Sequence, residues 1–358
     1  MSIIKILPES LINQIAAGEV VERPASAVKE LVENSIDSGA TEIIVEIKDA
    51  GKTFIKISDN GCGMSAEDLE LALQRHATSK ISDETDLWKI KTMGFRGEAL
   101  ASIASVSKLI IRSKSAEDLA GIEIQTDGGE LRMKQELGMK NGTQVEVYNL
   151  FFNTPARQKY LKQDSTELNH ITTTLNAIAL GNPGLAFKLV HNEKIVFELA
   201  KSSDLISRIA DIFGRSTAEA MLPIFYGGSS FQIEGFIGKP LLSRSTSQHQ
   251  YFFVNRRHIQ QYLLANTIKT AFHSMLMENK KPVFILNITI DPALIDVNVH
   301  PQKMEVRFRE GSALFRFVLQ ALEQHLAKTP WAAHTQYPEP YTGTSASPQG
   351  TQGWPLRE

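Results

Sequence analysis

The sequence has little cysteine and no long hydrophobic run. Its 358 residues include a single cysteine, Cys62, which excludes an internal disulfide framework and fits a reducing compartment. No stretch of about 18 consecutive apolar residues occurs, so we expect no membrane-spanning helix. The first residues, MSIIKILPES, lack the apolar segment and cleavage site of a signal peptide. The nine histidines are scattered, and no CxxC, HxH or HExxH spacing predicts a His/Cys metal site.

Net charge is also small, −2, but it is unevenly distributed. Residues 1–199 hold 22 basic and 28 acidic residues, whereas residues 200–330 hold 15 and 10. A basic second half favours an anionic partner such as nucleic acid, although an excess of this size is also found on ordinary mixed surfaces. Residues 331–358 are rich in Pro, Thr, Ser, Gly and Gln, which predicts a disordered linker or tail.

The alternation of apolar and polar residues predicts two α+β domains. Strands are expected in the first half at 43–47, 54–58, 106–113, 121–126, 130–136 and 142–148. Further strands are expected at 186–191, 194–199, 231–238, 250–254, 283–290 and 295–299. Helices of the second half are expected at 203–213, 260–277 and 312–327. The break Gly181-Asn182-Pro183-Gly184 predicts a boundary between about 182 and 215, and we divide the domains as 1–200 and 201–330.

The stretch Lys29–Gly39, KELVENSIDSG, predicts a helix with a polar and an apolar face. At 3.6 residues per turn, Asn34 and Asp37 fall within roughly 40° of Glu30. The opposite face is apolar and carries Val28, Leu31, Val32 and Ile36. The polar face either points at a ligand through Glu30 and Asn34 or is a solvated surface, and the helix alone does not decide between the two.

Three further segments have residue types that suit a ligand. Asp59–Met64, DNGCGM, places an Asp at a strand end beside two glycines, and this Asp can accept a hydrogen bond from an exocyclic amine. The alternative is a structural Asx turn between strand and helix. The polar loop RHATSKI, 75–81, suits phosphate contacts but is equally explained as a solvated loop. Gly94–Leu100, GFRGEAL, leads into a helix start that can bind an anion, although many helices begin after glycine.

Taken together, the motifs resemble the ATPase region of the MutL family of DNA mismatch-repair proteins. That family belongs to the GHKL group with gyrase B, Hsp90 and histidine kinases. Four motifs stand in family order, KELVENSIDSG (29–39), DNGCGM (59–64), GFRGEAL (94–100) and GTQVEV (142–147). Stretches special to the MutL family surround them: QIAAGEVVERPASAVKELVENSIDSGA (14–40), RHATSK (75–80), LFFNTPARQKYL (150–161), YFFVNRRHI (251–259) and DVNVHPQKMEVRF (296–308). The resemblance implies an α+β fold, with a GHKL (Bergerat) ATP-binding α/β sandwich followed by a ribosomal-protein-S5-like α/β second domain.

The resemblance also implies roles for individual residues. Glu30 is expected to be the general base that deprotonates the attacking water, Asn34 the Mg²⁺ ligand, and Asp59 the reader of the adenine amino group. Lys303 of the second domain is expected to reach the γ-phosphate. Asp37 receives no comparable chemical role and is expected to support the adenine side of the pocket or the end of the helix. The remaining implied contacts form the adenine pocket and the phosphate lid: Gly61, Gly63, Met64, Thr78, Ser79, Lys80, Gly94, Phe95, Arg96, Gly97, Glu98 and Thr143.

At the level of the whole protein, the resemblance implies an ATP-dependent mismatch repair factor that uses ATP and Mg²⁺. It implies slow hydrolysis, homodimerisation on ATP binding with residues 1–23 reaching toward the partner copy, and a clamp on double- or single-stranded DNA. The implied protein partners are the mismatch-recognition protein MutS and a downstream nuclease or helicase. The implied location is the bacterial cytoplasm, at the nucleoid during repair. Arg256 and Arg257 are the candidate DNA contacts, unless they are ordinary exposed arginines.

Several alternatives stay open at this stage. Another GHKL ATPase, such as a topoisomerase subunit or an Hsp90-like chaperone, would share the nucleotide motifs without the MutL-type stretches. A nucleotide-gated DNA-binding module would bind ATP without hydrolysis, which an intact Glu30 argues against. No endonuclease metal site is visible in this sequence. Cys62 as a nucleophile lacks a histidine nearby in sequence.

Overall fold

The computed structural model describes residues 5, 7–80, 93–94, 97–228, 230–296 and 306–329. Phe95, Arg96, Lys303 and the predicted tail 331–358 lie outside the described residues. The helices of the described part are α1 (Glu9–Val20), α2 (Pro24–Asp37), α3 (Ala66–Leu71), α4 (Ala99–Ser105), α5 (Pro155–Tyr160), α6 (Asp164–Gly181), α7 (Leu205–Phe213), α8 (Arg215–Glu219), α9 (Tyr262–Ala271) and α10 (Gly311–Ala327).

The strands fall into two groups along the chain. Those of the first half are β1 (Glu42–Lys48), β2 (Phe54–Asp59), β3 (Lys108–Lys114), β4 (Gly121–Asp127), β5 (Glu130–Leu137), β6 (Gly142–Tyr148), β7 (Ala186–His191) and β8 (Lys194–Leu199). Those of the second half are β9 (Met221–Gly227), β10 (Phe231–Gly238), β11 (Gln250–Val254), β12 (Arg257–Ile259), β13 (Phe284–Ile290), β14 (Ile295–Asp296) and β15 (Arg307–Phe308).

The first half of the chain forms an eight-stranded sheet with helices on one face. Its strand order is β5-β4-β3-β6-β2-β1-β7-β8, antiparallel except for the parallel pair β1 and β7. Side chains alternate across a strand, so Ile43, Val45 and Ile47 of β1 all point to the buried face. There they share a core with Val28 of α2 and Ile171 of α6. The result is a two-layer sandwich with α2 lying over the middle of the sheet.

The second half forms a five-stranded sheet in the order β12-β11-β13-β10-β9. Strands β11 and β13 run parallel, and the other neighbouring pairs are antiparallel. Helices α9 and α10 bury Leu264, Ile268 and Val318 in a second core with Phe284 and Leu286 of the sheet. Together with the first sheet, this confirms the predicted α+β class.

A third apolar cluster joins the two sheets. It combines Leu180 of α6, Ile209 of α7 and Phe253 of β11. Beside it the fully buried Arg208 points Nη2 at three backbone carbonyl oxygens, those of Pro183, Leu185 and Ala200, at 2.7, 2.7 and 2.8 Å. The first sheet ends at Leu199 and the second begins at Met221, and the predicted division at residue 200 falls in this interval.

Some elements differ from the sequence-based prediction. The expected helix 260–277 is shorter, Tyr262–Ala271, because the chain turns into a 3₁₀ segment at His273–Met275. The expected strand 295–299 is described only as Ile295–Asp296, since residues 297–300 lie outside the described part. The helix α1 and the strands β9 and β12 were not predicted.

Candidate functional site

A cavity of about 730 Å³ lies against the polar face of α2. It is bounded by α2, by the turn after β2, by the loop that ends at Lys80, by residues 94 and 97–100, and by β6. Twelve of the predicted site residues line it: Glu30, Asn34, Asp59, Gly63, Met64, Thr78, Ser79, Lys80, Gly94, Gly97, Glu98 and Thr143. The four motifs are thus brought together around one volume, and this favours the ligand-directed interpretation of the α2 polar face over the solvated one.

Helix α2 can present this face because its two ends suit a helix. Pro24 is its first residue, where no backbone N–H is needed, and Gly39 takes a φ of 75° just after the end. Glu30 is only 7 % exposed, although it is a carboxylate. Lys29 Nζ lies 3.4 Å from Glu30 Oε1 and 2.9 Å from Glu33 Oε1. Burial lowers the pKa of Lys29, but the carboxylates of Glu33 and Glu30 outweigh it and raise the pKa above its usual value. A charged lysine therefore compensates the buried acidic groups.

One turn further along α2, Asn34 and Asp37 share a cationic neighbour. Lys80 Nζ donates to Asn34 Oδ1 at 3.0 Å and to Asp37 Oδ2 at 2.6 Å. Asp37 also accepts from the backbone N–H groups of Met93, at 2.9 Å, and Gly94, at 3.0 Å. Sequence reasoning placed Asp37 in support of the adenine side of the pocket or of the helix end, whereas in the structure it joins α2 to Lys80 and to the backbone of residues 93–94. The signal was its place beside Glu30 and Asn34 on the helix wheel.

At the other end of the cavity, Asp59 is held by three donors. It accepts from Ser35 Oγ at 2.7 Å, Gly61 N at 2.9 Å and Thr143 N at 3.3 Å. The Ser35 hydroxyl comes from α2 and the Thr143 amide from β6, so the carboxylate is fixed between the helix and the sheet. Ser35 was not predicted as a site residue. An Asp held in this way has a set orientation toward the cavity.

The two glycines of the DNGCGM turn serve the packing of the turn itself. A Cβ on Gly61 would lie 1.9 Å from Ser38 Oγ, and one on Gly63 would lie 2.0 Å from the Lys114 carbonyl oxygen. Gly63 also has a φ of 72°, and Gly61 does not line the cavity. The close approach that the glycines permit here is to protein atoms, and their predicted approach to an adenine base stays a prediction.

The two segments predicted to close on phosphates lie against each other. His76 N donates to the Gly97 carbonyl at 3.1 Å, and His76 Nδ1 lies 3.3 Å from Glu98. A Cβ on Gly97 would come within 2.3 Å of the Ala77 carbonyl, and its φ is 63°. Thr78 Oγ1 accepts from the Lys80 amide at 3.2 Å. These contacts place Lys80 and the backbone amides of Gly94 and Gly97 on the same side of the cavity as Asn34.

The two arginines predicted to contact DNA have different surroundings. Arg256 is exposed, and its amide donates to Asn287 Oδ1 at 3.0 Å. Arg257 is half-buried, and its Nη2 donates to the Met93 carbonyl at 3.2 Å. The guanidinium of Arg257 is thus turned toward the first domain, and its predicted role as a DNA contact stays a prediction. The DNA-binding prediction for Arg256 stays a prediction.

The described part of the chain contains neither a metal-binding His/Cys/carboxylate cluster nor a membrane-spanning helix. No group of three or more His, Cys, Asp or Glu side chains in the described part of the chain is placed to hold a metal ion. No helix within the described ranges is both long and apolar enough to cross a bilayer.

Comparison with known proteins assigns each half of the chain. Residues 22–146 match the family described as histidine kinase-, DNA gyrase B- and HSP90-like ATPase. Residues 209–327 match the C-terminal domain of the DNA mismatch repair protein family. The predicted GHKL sandwich and the S5-like second domain are therefore confirmed.

Individual relatives agree with these matches. The DNA mismatch repair protein MutL of Syntrophotalea carbinolica is 46 % identical over 331 residues, which are 92 % of this chain and 53 % of the relative. The chain spans about half the length of the curated relatives it matches. A crystal structure of the N-terminal domain of a DNA repair protein, 24 % identical, has the same fold, with a TM-score of 0.78 over 90 % of this chain and 99 % of that one. The Aquifex aeolicus MutL ATPase domain complexed with ADP is 30 % identical, with a TM-score of 0.59, over 76 % of this chain and 94 % of that one. The chain belongs to the MutL family of DNA mismatch repair proteins.

Proposed function

We propose that this chain binds Mg·ATP in the cavity beside α2, hydrolyses it slowly, and uses nucleotide binding to change its assembly on DNA. The observation that carries the proposal is the convergence of Glu30, Asn34 and Asp59 on one cavity. These side chains come from α2 and from the end of β2, and each has a chemistry that a different part of a nucleotide requires. The Aquifex relative complexed with ADP supports a nucleotide as the ligand.

The adenine end of the nucleotide would lie at Asp59. Its carboxylate accepts from Ser35, Gly61 and Thr143 and retains lone pairs for a further donor, since two carboxylate oxygens offer about four acceptor sites. An adenine amino group is such a donor, whereas the corresponding position of guanine is a carbonyl. The site would therefore select adenine over guanine, because only adenine can donate a hydrogen bond to the carboxylate at this position.

The surroundings of Asn34 fit Mg²⁺. Its Oδ1 accepts from the Lys80 ammonium, so this oxygen faces a cation in the free protein, and Mg²⁺ would take the place of the ammonium there while Lys80 keeps its contact with Asp37. Mg²⁺ prefers oxygen ligands and commonly takes one or two protein groups together with waters and phosphate oxygens. When bound, the ion would neutralise negative charge on the phosphates. Asn34 would hold it, and Asp37 would hold Lys80 nearby.

Hydrolysis would depend on Glu30. It lies one helical turn before Asn34, is buried beside the cavity and has Lys29 as a neighbouring cation. In this position it would orient the attacking water and accept its proton. Lys80 and the amides of residues 94 and 97 would stabilise charge on the phosphates. Lys303 is proposed, from the family resemblance, to add a positive charge from the second domain.

The role of the whole protein follows from family membership and is part of the proposal. Two copies would associate when ATP binds, and α1, which exposes Ile12 and Ile15 by 42 % and 51 %, would contribute to that contact. The dimer would grip double- or single-stranded DNA at the nucleoid in the bacterial cytoplasm. It would act between MutS and a downstream nuclease or helicase.

The catalytic assignment is tested by comparing ATP binding with ATP hydrolysis in two variants. Glu30→Ala is expected to bind Mg·ATP normally and to lose hydrolysis by about 100-fold or more, since a positioned general base contributes at least that factor. Asn34→Ala is expected to weaken Mg·ATP binding by about tenfold or more. Glu130→Ala, at the exposed edge of the first sheet, is the control and should leave both quantities unchanged. Equal losses of binding in the two site variants would contradict the separate roles.

Assembly is tested by gel filtration with and without a non-hydrolysable ATP analogue. The chain is expected to shift from monomer to dimer when the analogue is added. A monomer at every protein concentration would reduce the proposal to a nucleotide-binding module.

A further inference from the structure

Arg257 connects the second domain to the segment that borders the nucleotide cavity. It begins β12, directly after the tight turn at Asn255 and Arg256, whose φ angles are 50° and 67°. Val254 pairs with Arg257 across the hairpin, so Asn255 and Arg256 form the turn and Arg257 is the first residue of the strand. The two adjacent arginines therefore have different surroundings. Arg256 is exposed, whereas Arg257 is half-buried between the domains.

The contact of Arg257 is with the peptide of Met93. Its Nη2 donates to the Met93 carbonyl oxygen at 3.2 Å. The N–H of the same residue donates to Asp37 Oδ1 at 2.9 Å, and the next N–H, of Gly94, donates to Asp37 Oδ2 at 3.0 Å. Residue 93 is therefore held by α2 on one side and by the second domain on the other.

The charge around Arg257 favours this contact. Burial lowers the pKa of its guanidinium, while the carboxylates of Glu33, Glu30 and Asp37 on α2 act in the opposite direction. An arginine remains protonated at any ordinary pH, so the group keeps its charge when partly desolvated. The acidic face of α2 thus attracts a cation that belongs to the second domain, and this cation reaches the backbone beside Gly94.

We propose that Arg257 is a positioning residue of the ATPase site: it holds the Met93–Gly94 backbone against Asp37, and through it the position of the second domain sets the affinity for the nucleotide triphosphate. Only the second part of this proposal, the effect on nucleotide affinity, rests on the proposed nucleotide site. Holding of the 93–94 backbone is a property of the free protein. A change in how the domains sit would then alter the phosphate side of the cavity without touching the adenine side at Asp59.

The first test uses the protein without nucleotide. Hydrogen exchange at the Met93 and Gly94 amides is expected to be at least about fivefold faster in Arg257→Gln than in the wild type, because the backbone loses its support from the second domain. Arg257→Lys, which keeps the charge, should recover part of the protection. Unchanged exchange in Arg257→Gln would overturn the positioning role. If Arg257→Gln is unfolded, Arg257→Met carries the comparison, and wild-type exchange in that variant would likewise overturn the positioning role.

The second test compares ligands. Arg257→Gln is expected to weaken binding of a non-hydrolysable ATP analogue at least about fivefold, the lower end of coupling between sites, and to leave adenosine binding unchanged. Arg215→Gln, an exposed arginine on α8, is the control. If the wild type binds no nucleotide, the proposed function fails while the exchange result still decides the positioning role. If Arg257→Gln keeps its ATP affinity and instead loses salt-dependent DNA binding, Arg257 is a DNA contact and the inference is wrong.

Discussion

Two aspartates of the cavity hold different partners and so divide the site. Asp59 lies at the end where we propose that the base binds, and its three donors come from α2, from its own turn and from β6. Asp37 lies at the end where we propose that the phosphates bind, and its donors are Lys80 and two backbone amides. The side chain of Asp37 is only 7 % exposed, so its charge-assisted hydrogen bond with Lys80 is largely shielded from solvent. Each carboxylate is thus satisfied in the free protein.

Replacement of Asp59 by Asn tests the base end. The Asn oxygen can still accept from the Gly61 and Thr143 amides, so the turn should remain folded. Its NH₂ group, however, donates where the adenine amino group also donates. We expect a loss of about 1.5–3 kcal/mol of binding, or roughly 10- to 150-fold in Kd, for ATP. Equilibrium titration with a fluorescent ATP analogue measures this.

The same variant makes a prediction about selectivity. Guanine presents a carbonyl at the position of the adenine amino group, so the preference for ATP over GTP should shrink or reverse in Asp59→Asn. Asp49→Asn, whose carboxylate binds Thr53 outside the cavity, is the matched control. An unchanged ratio of ATP to GTP affinity would remove Asp59 from the base-reading role.

At the scale of the elements, local patterns predicted most of the sheets and helices. The polar and apolar faces of α2 and the alternation of β1 follow directly from a period of 3.6 or 2 residues. Strand β9 was missed because Pro223 lies inside it. A proline removes a backbone donor, but β9 is at the edge of its sheet, where that donor is not required. Helix α3 is capped by Ser65, whose Oγ accepts from the Asp68 amide at 3.1 Å, and a serine three residues before an acidic residue is a local signal for such a helix start.

Contacts between distant elements were not predictable from such patterns. Asp37 binds an amide 57 positions away, and Arg257 binds a carbonyl 164 positions away. Nothing in the local sequence of β12 distinguishes an arginine that faces another domain from one that faces solvent. The family resemblance supplied the residues of the cavity, but it assigned Arg257 to DNA and gave Asp37 no specific partner.

The hairpin of β11 and β12 contains a histidine that makes its stability depend on pH. His258 lies near the rings of Tyr251 and Phe253, with centroids 5.8 and 5.6 Å away. Burial and, secondarily, the charge of Lys29 lower the pKa of His258 from 6.5 to about 4. The unfolded chain therefore binds a proton between these values that the folded chain rejects, and stability falls as the pH drops from about 6.5 to 4. The loss is at most about 3 kcal/mol, at 1.36 kcal/mol for each pH unit.

Urea unfolding at pH 7 and pH 4.5 measures this contribution. His258→Phe keeps an aromatic ring and removes the titration, so its stability should fall less between the two pH values than that of the wild type. His273→Gln changes a histidine whose side chain is 60 % exposed and serves as the control. An identical pH dependence in His258→Phe and the wild type would show that the proton uptake occurs elsewhere.

At the scale of the whole molecule, communication between the proposed nucleotide cavity and the second domain requires contacts that link the two sheets. Three features of the described part connect them: the cluster of Leu180, Ile209 and Phe253, the contact of Arg257, and the buried Arg208. Burial lowers the pKa of Arg208, with Asp211 acting in the opposite direction. Its three carbonyl partners lie just after α6, just before β7 and just after β8. One guanidinium therefore fixes the backbone where the chain leaves the first domain.

Arg208→Met is therefore expected to uncouple the domains. Methionine fills most of the volume but leaves three carbonyl oxygens without their donor, and we expect a destabilisation of about 3–5 kcal/mol. In calorimetry the variant should show two thermal transitions, and an ATP analogue should raise only the Tm of the domain that binds it. In the wild type, and in the surface control Arg215→Met, the analogue should raise the stability of both domains together. A variant that unfolds in the wild-type manner, with both domains responding to the analogue, would show that Arg208 does not couple them and that the apolar cluster suffices.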